Sequence, residues 1–502
     1  MALENRFNKC LLTVFGAALF LLSGLWMAAS HAATDLIQPY DLVYSGAFRL
    51  PDVSTGSDWT YSGYGMTFNP HGDPDGPSDG YPGSLYAVGN DQDQMIAEIS
   101  IPRPVVSAGK RLADLNTAAM LQPFTEIRSL LFGYMDLPSP GLAYLPAQGG
   151  QTTDKLHFCW SQWIQTGAPS HGWCELDLSH PQIAGPWRFG HYSNYLTNDY
   201  LFEIPEDWAR ENTPGLRLVS GRYREGQWSG YGPSLFAYGP WLDGNPPAAD
   251  STLGHITLLL SYGADLENPE VSIDASRTIS DYSLADTFAG GAWLTHGGSA
   301  AVVLCGTKAV GESWYGFGNG VEYPYLDVDE DTVYPAVPDW PYDNRGFWSE
   351  DISAQLLFYN PDDLAKVAAG TLAAYEPQPY AVMTLDAYLF DGAAIDHERA
   401  KKHLLGAMAF DRANSLVYVM ERRADEEKNI VHVFAIDPDG AGADDDGDTP
   451  VDDGDSGDDD AGDGTSDDDT PSDDDTAGAD DAADGSGGGG GSGGNCFIST
   501  VF

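Results

Sequence analysis

Carboxylates, indoles and guanidinium groups recur in five short stretches of this chain. They are Asp91 and Asp93; Trp160, Gln162, Trp163 and His171; Arg222, Arg224, Glu225 and Trp228; Glu312, Trp314, Tyr315, Trp348, Glu350 and Asp351; and Glu421, Arg422 and Arg423. Carbohydrate is the ligand that such a mixture suits. Sugar rings offer apolar C–H faces to Trp and Tyr, while their hydroxyls bond Asp, Glu, Arg and Gln. Trp160, Trp163, Arg222, Trp228, Trp314 and Trp348 are therefore the candidate ligand-binding residues. Two carboxylates about 5 to 10 Å apart could also hydrolyse a glycosidic bond. Asp91, Asp93, Glu350 and Asp351 are the candidates for that chemistry, although most carboxylates of an acidic protein are solvated and inert.

Metal and thiol chemistry have fewer carriers. Asp327, Asp329 and Asp331 alternate as at the start of a calcium loop, but Thr332 stands where the loop needs glycine and Glu330 breaks the pattern. A solvated acidic turn is the expectation there, with Ca²⁺ the only cofactor suggested. Cys159 and Cys174 fall on consecutive expected strands, so a cross-strand disulfide is geometrically feasible; the other reading is two small buried side chains. The sequence has no His-Glu-x-x-His, Cys-x-x-Cys or phosphate-loop motif.

The elements that must position these residues are written as a repeat. Gly65-Met66-Thr67-Phe68-Asn69-Pro70, Gly141-Leu142-Ala143-Tyr144-Leu145-Pro146 and Gly406-Ala407-Met408-Ala409-Phe410-Asp411 each precede two further apolar strands. One small sheet cannot bury both faces and must stack on a neighbour of its own kind, so the repeat implies blades. Residues 34–440 accommodate an all-β, five-bladed β-propeller, six or seven blades being the alternative counts. Leu42 to Leu50 should complete the last blade, because joining the first and last sequence in one sheet removes an open edge. In a propeller the loops between second and third strands emerge where the innermost strands begin, which gathers the five stretches on one rim. Glycoside hydrolases occur among five-bladed propellers, but their acidic motifs are not matched here, so that likeness is one of fold alone.

Composition sets the surroundings. Among 502 residues, 12% aromatic and 42% hydrophobic content can fill a large β core. A formal charge of −51 argues against nucleic acid, whose phosphates need clustered Lys and Arg. Residues 1–32 read as a signal peptide, with Arg6 and Lys9 before an apolar run and Ser30-His31-Ala32 at its end. From 441 to 494 the chain is rich in Asp and Gly and too poor in apolar groups to offset ordering entropy, which implies a disordered spacer.

The spacer ends in a glycine run followed by Asn495-Cys496-Phe497-Ile498, which resembles the C-terminal tails of many exported proteins of Gram-negative bacteria. The resemblance covers residues 495–502 and the glycines before them, and it implies sorting or anchoring through Cys496. The expectation is thus an exported monomer, periplasmic, secreted or at the cell surface, which meets the membrane only through its signal or C-terminal processing. Its expected role is noncatalytic binding or scaffolding of a glycan or protein, the alternative being a glycan-active hydrolase or lyase that uses the rim carboxylates.

Overall fold

The computed structural model describes residues 34–438 except 53–54, 74–75, 77–79, 136–138, 162–166, 228, 268–273, 326–327 and 393–400. The expected signal segment, the acidic spacer and the Cys496 segment lie outside the described residues, as do Gln162, Trp163, Trp228 and Asp327.

The chain forms a five-bladed β-propeller. It starts with β1 (Asp35–Leu36) and β2 (Leu42–Arg49). Blade 1 contains β3 (Met66–Asn69), β4 (Ser84–Val88), β5 (Ile96–Ser100) and β6 (Met120–Thr125). Helix α1 (Arg128–Phe132) leads into blade 2, made of β7 (Ser139–Leu145), β8 (Lys155–Ser161), β9 (His171–Cys174) and β10 (Ala184–Trp187). In blade 3, β11 (Tyr200–Glu203) is joined through α2 (Glu206–Asn212) to β12 (Leu218–Arg222), β13 (Ser234–Tyr238) and β14 (Ile256–Leu260). Blade 4 has β15 (Thr287–His296), β16 (Ser299–Gly316) and β17 (Gly346–Tyr359), then α3 (Pro361–Ala368) and β18 (Ala381–Thr384). Blade 5 has β19 (Leu405–Asp411), β20 (Leu416–Asp425) and β21 (Lys428–Ile436), and β2 completes it.

Closure has the expected form. Strand β2 runs antiparallel to β21 from the pair Leu42 and Ile436 to the pair Arg49 and Ile430. Strand β1 adds a second clasp by pairing in parallel with β16 at Ser299 and Ala300. Helix α3 also begins as its sequence suggests: Asp362 donates its N–H to the Asn360 side chain at 2.9 Å, and Pro361 occupies the first turn, where its missing N–H costs nothing.

Five apolar clusters fill the five blade interfaces. Tyr86 and Val88 meet Leu142 and Phe158 between blades 1 and 2, and Trp173 and Trp187 meet Leu218 and Phe236 between blades 2 and 3. Val219 and Leu235 pack on Trp293 and Val302, and Leu294 and Leu356 on Val417 and Phe434. The last cluster joins Phe48, Tyr418 and Val431 of blade 5 to Met66 and Leu85 of blade 1. Because each sheet is covered on both faces, strands such as Ser84–Val88 and Ser234–Tyr238 are buried at every position, and they read as apolar runs rather than alternations.

Two expectations require correction. Cys159 and Cys174 are separate buried thiols, because the ladder pairs Cys159 with His171 and Leu156 with Cys174. The three-residue offset from 156 to 159 sends the two sulfurs to opposite faces of blade 2, Cys159 toward blade 3 and Cys174 toward blade 1. The stretch from Gly306 to Ser353 is also less of a loop than its length suggests. After a bulge between Val310 and Ser313, β16 and β17 stay paired out to Gly316 and Gly346, leaving 317–345 at the tip.

The repeated glycine phrase has a packing cause at the axis. A Cβ on Gly290 would lie 2.5 Å from the carbonyl oxygen of Gly406, and one on Gly406 would lie 2.0 Å from that of Gly63. Substitution Gly290→Ala should therefore lower the unfolding free energy by about 1–3 kcal/mol through overpacking. Gly298→Ala, where a Cβ meets nothing within 4 Å, is the control expected to stay near wild type in urea titrations.

Candidate functional site

All five inner strands begin on one face of the ring, here called the top. The loops between second and third strands return to it, their described parts being 89–95, 167–170, 223–227 with 229–233, 317–325 with 328–345, and 426–427. The axis itself offers little room. Gly65, Gly141, Gly290, Met66, Leu142 and Met408 wall a small opening with room for about one water, and Asp199 is its single charged lining residue.

Asp199 opens a network of buried charges on this face. Arg224 donates to it through Nε at 2.7 Å and Nη2 at 2.6 Å, a two-point fork that fixes both groups. Arg222 lies 3.5 Å from the same carboxylate and donates to the Asn194 carbonyl at 3.0 Å. Burial and the neighbouring Arg224 push the Arg222 guanidinium down to about 9, so it remains cationic at neutral pH.

Glu225 follows in sequence and gathers three donors. Lys402 Nζ reaches it at 2.6 Å, Thr287 Oγ1 at 2.8 Å and His403 Nε2 at 3.2 Å. Burial alone would raise its pKa, but the Lys402 charge and the His403 and Lys402 bonds hold the carboxyl well below the usual range. Burial pushes His403 down to about 4 against the opposing pull of Glu225. The neutral ring has one consistent tautomer: Nε2–H donates to Glu225 and Nδ1 accepts from Arg422 Nη1 at 3.2 Å. Arg422 also donates to the Tyr64 hydroxyl at 2.6 Å and to the Ser62 carbonyl at 3.3 Å, with its guanidinium 4.1 Å over the Tyr64 ring.

Loop 89–95 forms the blade 1 side of the mouth. Arg128 Nη2 donates to its Gln92 carbonyl at 3.2 Å, and Trp160 Nε1 donates to Gln94 at 2.8 Å. Between these clamps Asp91 is half-buried. Its pKa is raised, chiefly by burial, against the lowering effects of the Gln92 bond and the Arg422 charge. Neighbouring Asp58 moves the other way: burial opposes the shift, but bonds from Asn90 and Thr60 hold it low.

The structure sorts the residues expected at the rim. Asp91 and Arg222 belong to the top-face network, although Arg222 is fully buried and acts on Asp199 rather than on solvent. Trp160 and Trp348, two of the candidate ligand-binding residues, are buried to 0% and 2% exposure and so are covered by their own neighbours. Trp160 serves to hold Gln94, and the Trp348 ring lies 5.3 Å beneath the Lys402 ammonium. Trp314 is half-buried and donates to the Phe317 carbonyl. Asp93 is exposed and accepts from Ser57. Glu350 and Asp351 are exposed on the β17 bulge, apart from Asp91, where they accept from the backbone of Glu312 and Ile352. Asp329 and Asp331 lie in an exposed turn closed by Thr332, and among the described residues no three His, Cys, Asp or Glu side chains could share a metal ion.

Sequence reading missed Tyr64, Arg128, Asp199, Lys402 and His403. Four of the five sit in the short segments that lead into inner strands, directly before the residues that crowd the axis. Polar side chains placed there had to meet the loop residues around the axis.

Two outcomes follow from these environments. Burial lowers His157 and His171 from the ordinary 6.5 to about 3, and His403 to about 4. Between those values and 6.5 the unfolded chain binds protons that the folded chain does not, so stability falls as pH falls. Denaturant titrations between pH 6.5 and 5 should show a loss approaching about 1.4 kcal/mol per pH unit for each such histidine, and His171→Asn should flatten the slope. For the thiols, peptide mapping without reductant should recover Cys159 and Cys174 unlinked. Alkylation of both, and of buried Cys305, should require unfolding.

Compared with known proteins, the chain matches no protein-family model and no curated sequence, so the charged mouth of the top face itself carries the functional reading.

Proposed function

We propose that this protein is a noncatalytic binding propeller that engages a glycan or protein ligand on its top face. One observation carries the reading: the most deeply buried carboxylates of that face are committed to fixed partners. Asp199 is held by Arg224, and Glu225 by Lys402, Thr287 and His403. Glu421 accepts from the backbone of Phe390 and Asp391 and lies 2.8 Å from His432. Carboxylates bound in this way are poor proton acceptors, but they hold a rigid, preorganised surface for recognition. Export and attachment through the acidic spacer and Cys496 complete the reading, supported by the N-terminal apolar run and the resemblance of the C-terminal tail.

A glycan-active hydrolase or lyase is the second reading, and Asp91 favours it. Its carboxyl is shifted up while that of Asp58 is shifted down, the divergence expected of an acid and base pair.

Screening the full chain against immobilised oligosaccharides and candidate proteins, with product analysis of every hit, separates the two. Saturable binding without bond cleavage is expected, with affinity falling at least tenfold in Tyr64→Ala and unchanged in Val382→Ala on the outer strand of blade 4. Cleavage that disappears in Asp91→Asn would establish the enzyme instead, and hits indifferent to Tyr64→Ala would remove the top face from the function.

A further inference from the structure

The buried cations of the top face fall into two groups. Arg222 and Arg224 share Asp199, Lys402 has Glu225, Lys308 has Asp286, and Lys401 has Asp391. Arg128 and Arg422 are each only 8% exposed, yet among the described residues neither has a carboxylate within 4 Å. Arg128 bonds a single carbonyl, and its buried Nε has no partner. Arg422 spends Nε and Nη1 on a carbonyl, a hydroxyl and an imidazole nitrogen, while Nη2 bonds no described residue. Desolvating a guanidinium without a counter-charge is costly, and such a group in a built site binds an anion strongly.

Both orphan guanidiniums border the same short loop. Arg128 grips the Gln92 carbonyl, and Arg422 is near enough to act electrostatically on Asp91, the residue before Gln92. One half-buried tyrosine adjoins them: Tyr64, whose ring lies under Arg422. A flat ring beside guanidiniums that have no carboxylate partner matches a sugar ring that bears an oxyanion, rather than a flexible acidic side chain. The net charge of −51 does not oppose this at contact, because charges more than about 8–10 Å away are screened at physiological salt.

We infer that the top face recognises the oxyanion of an acidic glycan, a ring carboxylate or sulfate, through Arg422 and Arg128. This rests on the binding reading above and names its ligand class. Asp91 lies beside the guanidiniums and, when ionised, competes with the ligand for them, so binding should strengthen in Asp91→Asn.

The test is calorimetric titration of the full chain with a galacturonate hexamer, against a neutral glucose hexamer, inorganic sulfate and a poly-glutamate peptide. Expected results are binding of the uronate at least tenfold tighter than of the neutral hexamer, and weakening at least tenfold in Arg422→Gln and in Arg128→Gln. Arg111→Gln, which removes an exposed arginine already paired with Asp114, should leave it unchanged. Where Arg422→Gln lowers the melting temperature, Arg422→Lys keeps the charge without the fork and should give intermediate affinity, and Arg128→Gln decides independently. Uronate binding unaffected by either arginine variant in a folded protein would overturn the inference. So would equal binding of poly-glutamate through the same arginines, which would transfer the site to an acidic protein, or binding of sulfate alone. A neutral ligand that depends on Tyr64 but not on Arg422 would leave the binding reading standing and remove only the anion.

Discussion

At the axis the inner strands approach so closely that Gly290 and Gly406 meet backbone to backbone, with no space for a β-carbon between them. That contact sets the size of everything around it. The five blades leave a central opening with room for about one water, which cannot admit a ligand of several rings. The same crowding brings residues from neighbouring blades within hydrogen-bonding distance, as when Ala407 donates its N–H to the Gly63 carbonyl at 2.7 Å. The segments that carry Tyr64 and His403 into the ring are therefore held near one another by a backbone contact and not by their side chains alone.

Around this closed axis the top face concentrates charge out of water. In a setting of low effective dielectric an ion pair is strong only when both members are fully bonded, and most of the pairs here satisfy that condition. Asp286 illustrates it: Tyr223 donates to it at 2.9 Å, Lys308 at 3.1 Å, and the Ser283 and Ala309 N–H groups at 2.9 Å each. Polar satisfaction of this kind links the second strand of one blade to the inner strand of the next. The face consequently behaves as one rigid unit, in which a local substitution is felt by the neighbouring blade.

The architecture was largely legible in the sequence, because burying both faces of every blade leaves apolar runs of strand length separated by turns. The glycine phrase marked the inner strands even before its steric cause was visible, and the apolar segment Leu42–Leu50 was an unmatched strand that a closed ring needed. Site residues were harder to read. Trp160 and Trp348 looked like open platforms, since sequence gives a residue's loop but not the neighbour that covers it. Cys159 and Cys174 looked like a pair because strand order was known and register was not, and one slip in register reverses the face. His403 and Arg128 carried no motif at all. Their significance comes from partners far away in the chain, Glu225 for one and Gln92 for the other.

Both ends of the described chain lie at the bottom of the ring. Asp437 donates its N–H to the Asp41 carbonyl at 2.8 Å where β21 finishes and β2 starts, and β1 is clasped to the first residues of β16 on the same side. The direction of each strand fixes this arrangement, since β2 must run up toward the top for the blade to alternate. Thr34 and Pro438 thus both lie on the side opposite the charged mouth. Support applied at either of these residues would leave the charged mouth facing away from it, with the blades themselves acting as the spacer between the two.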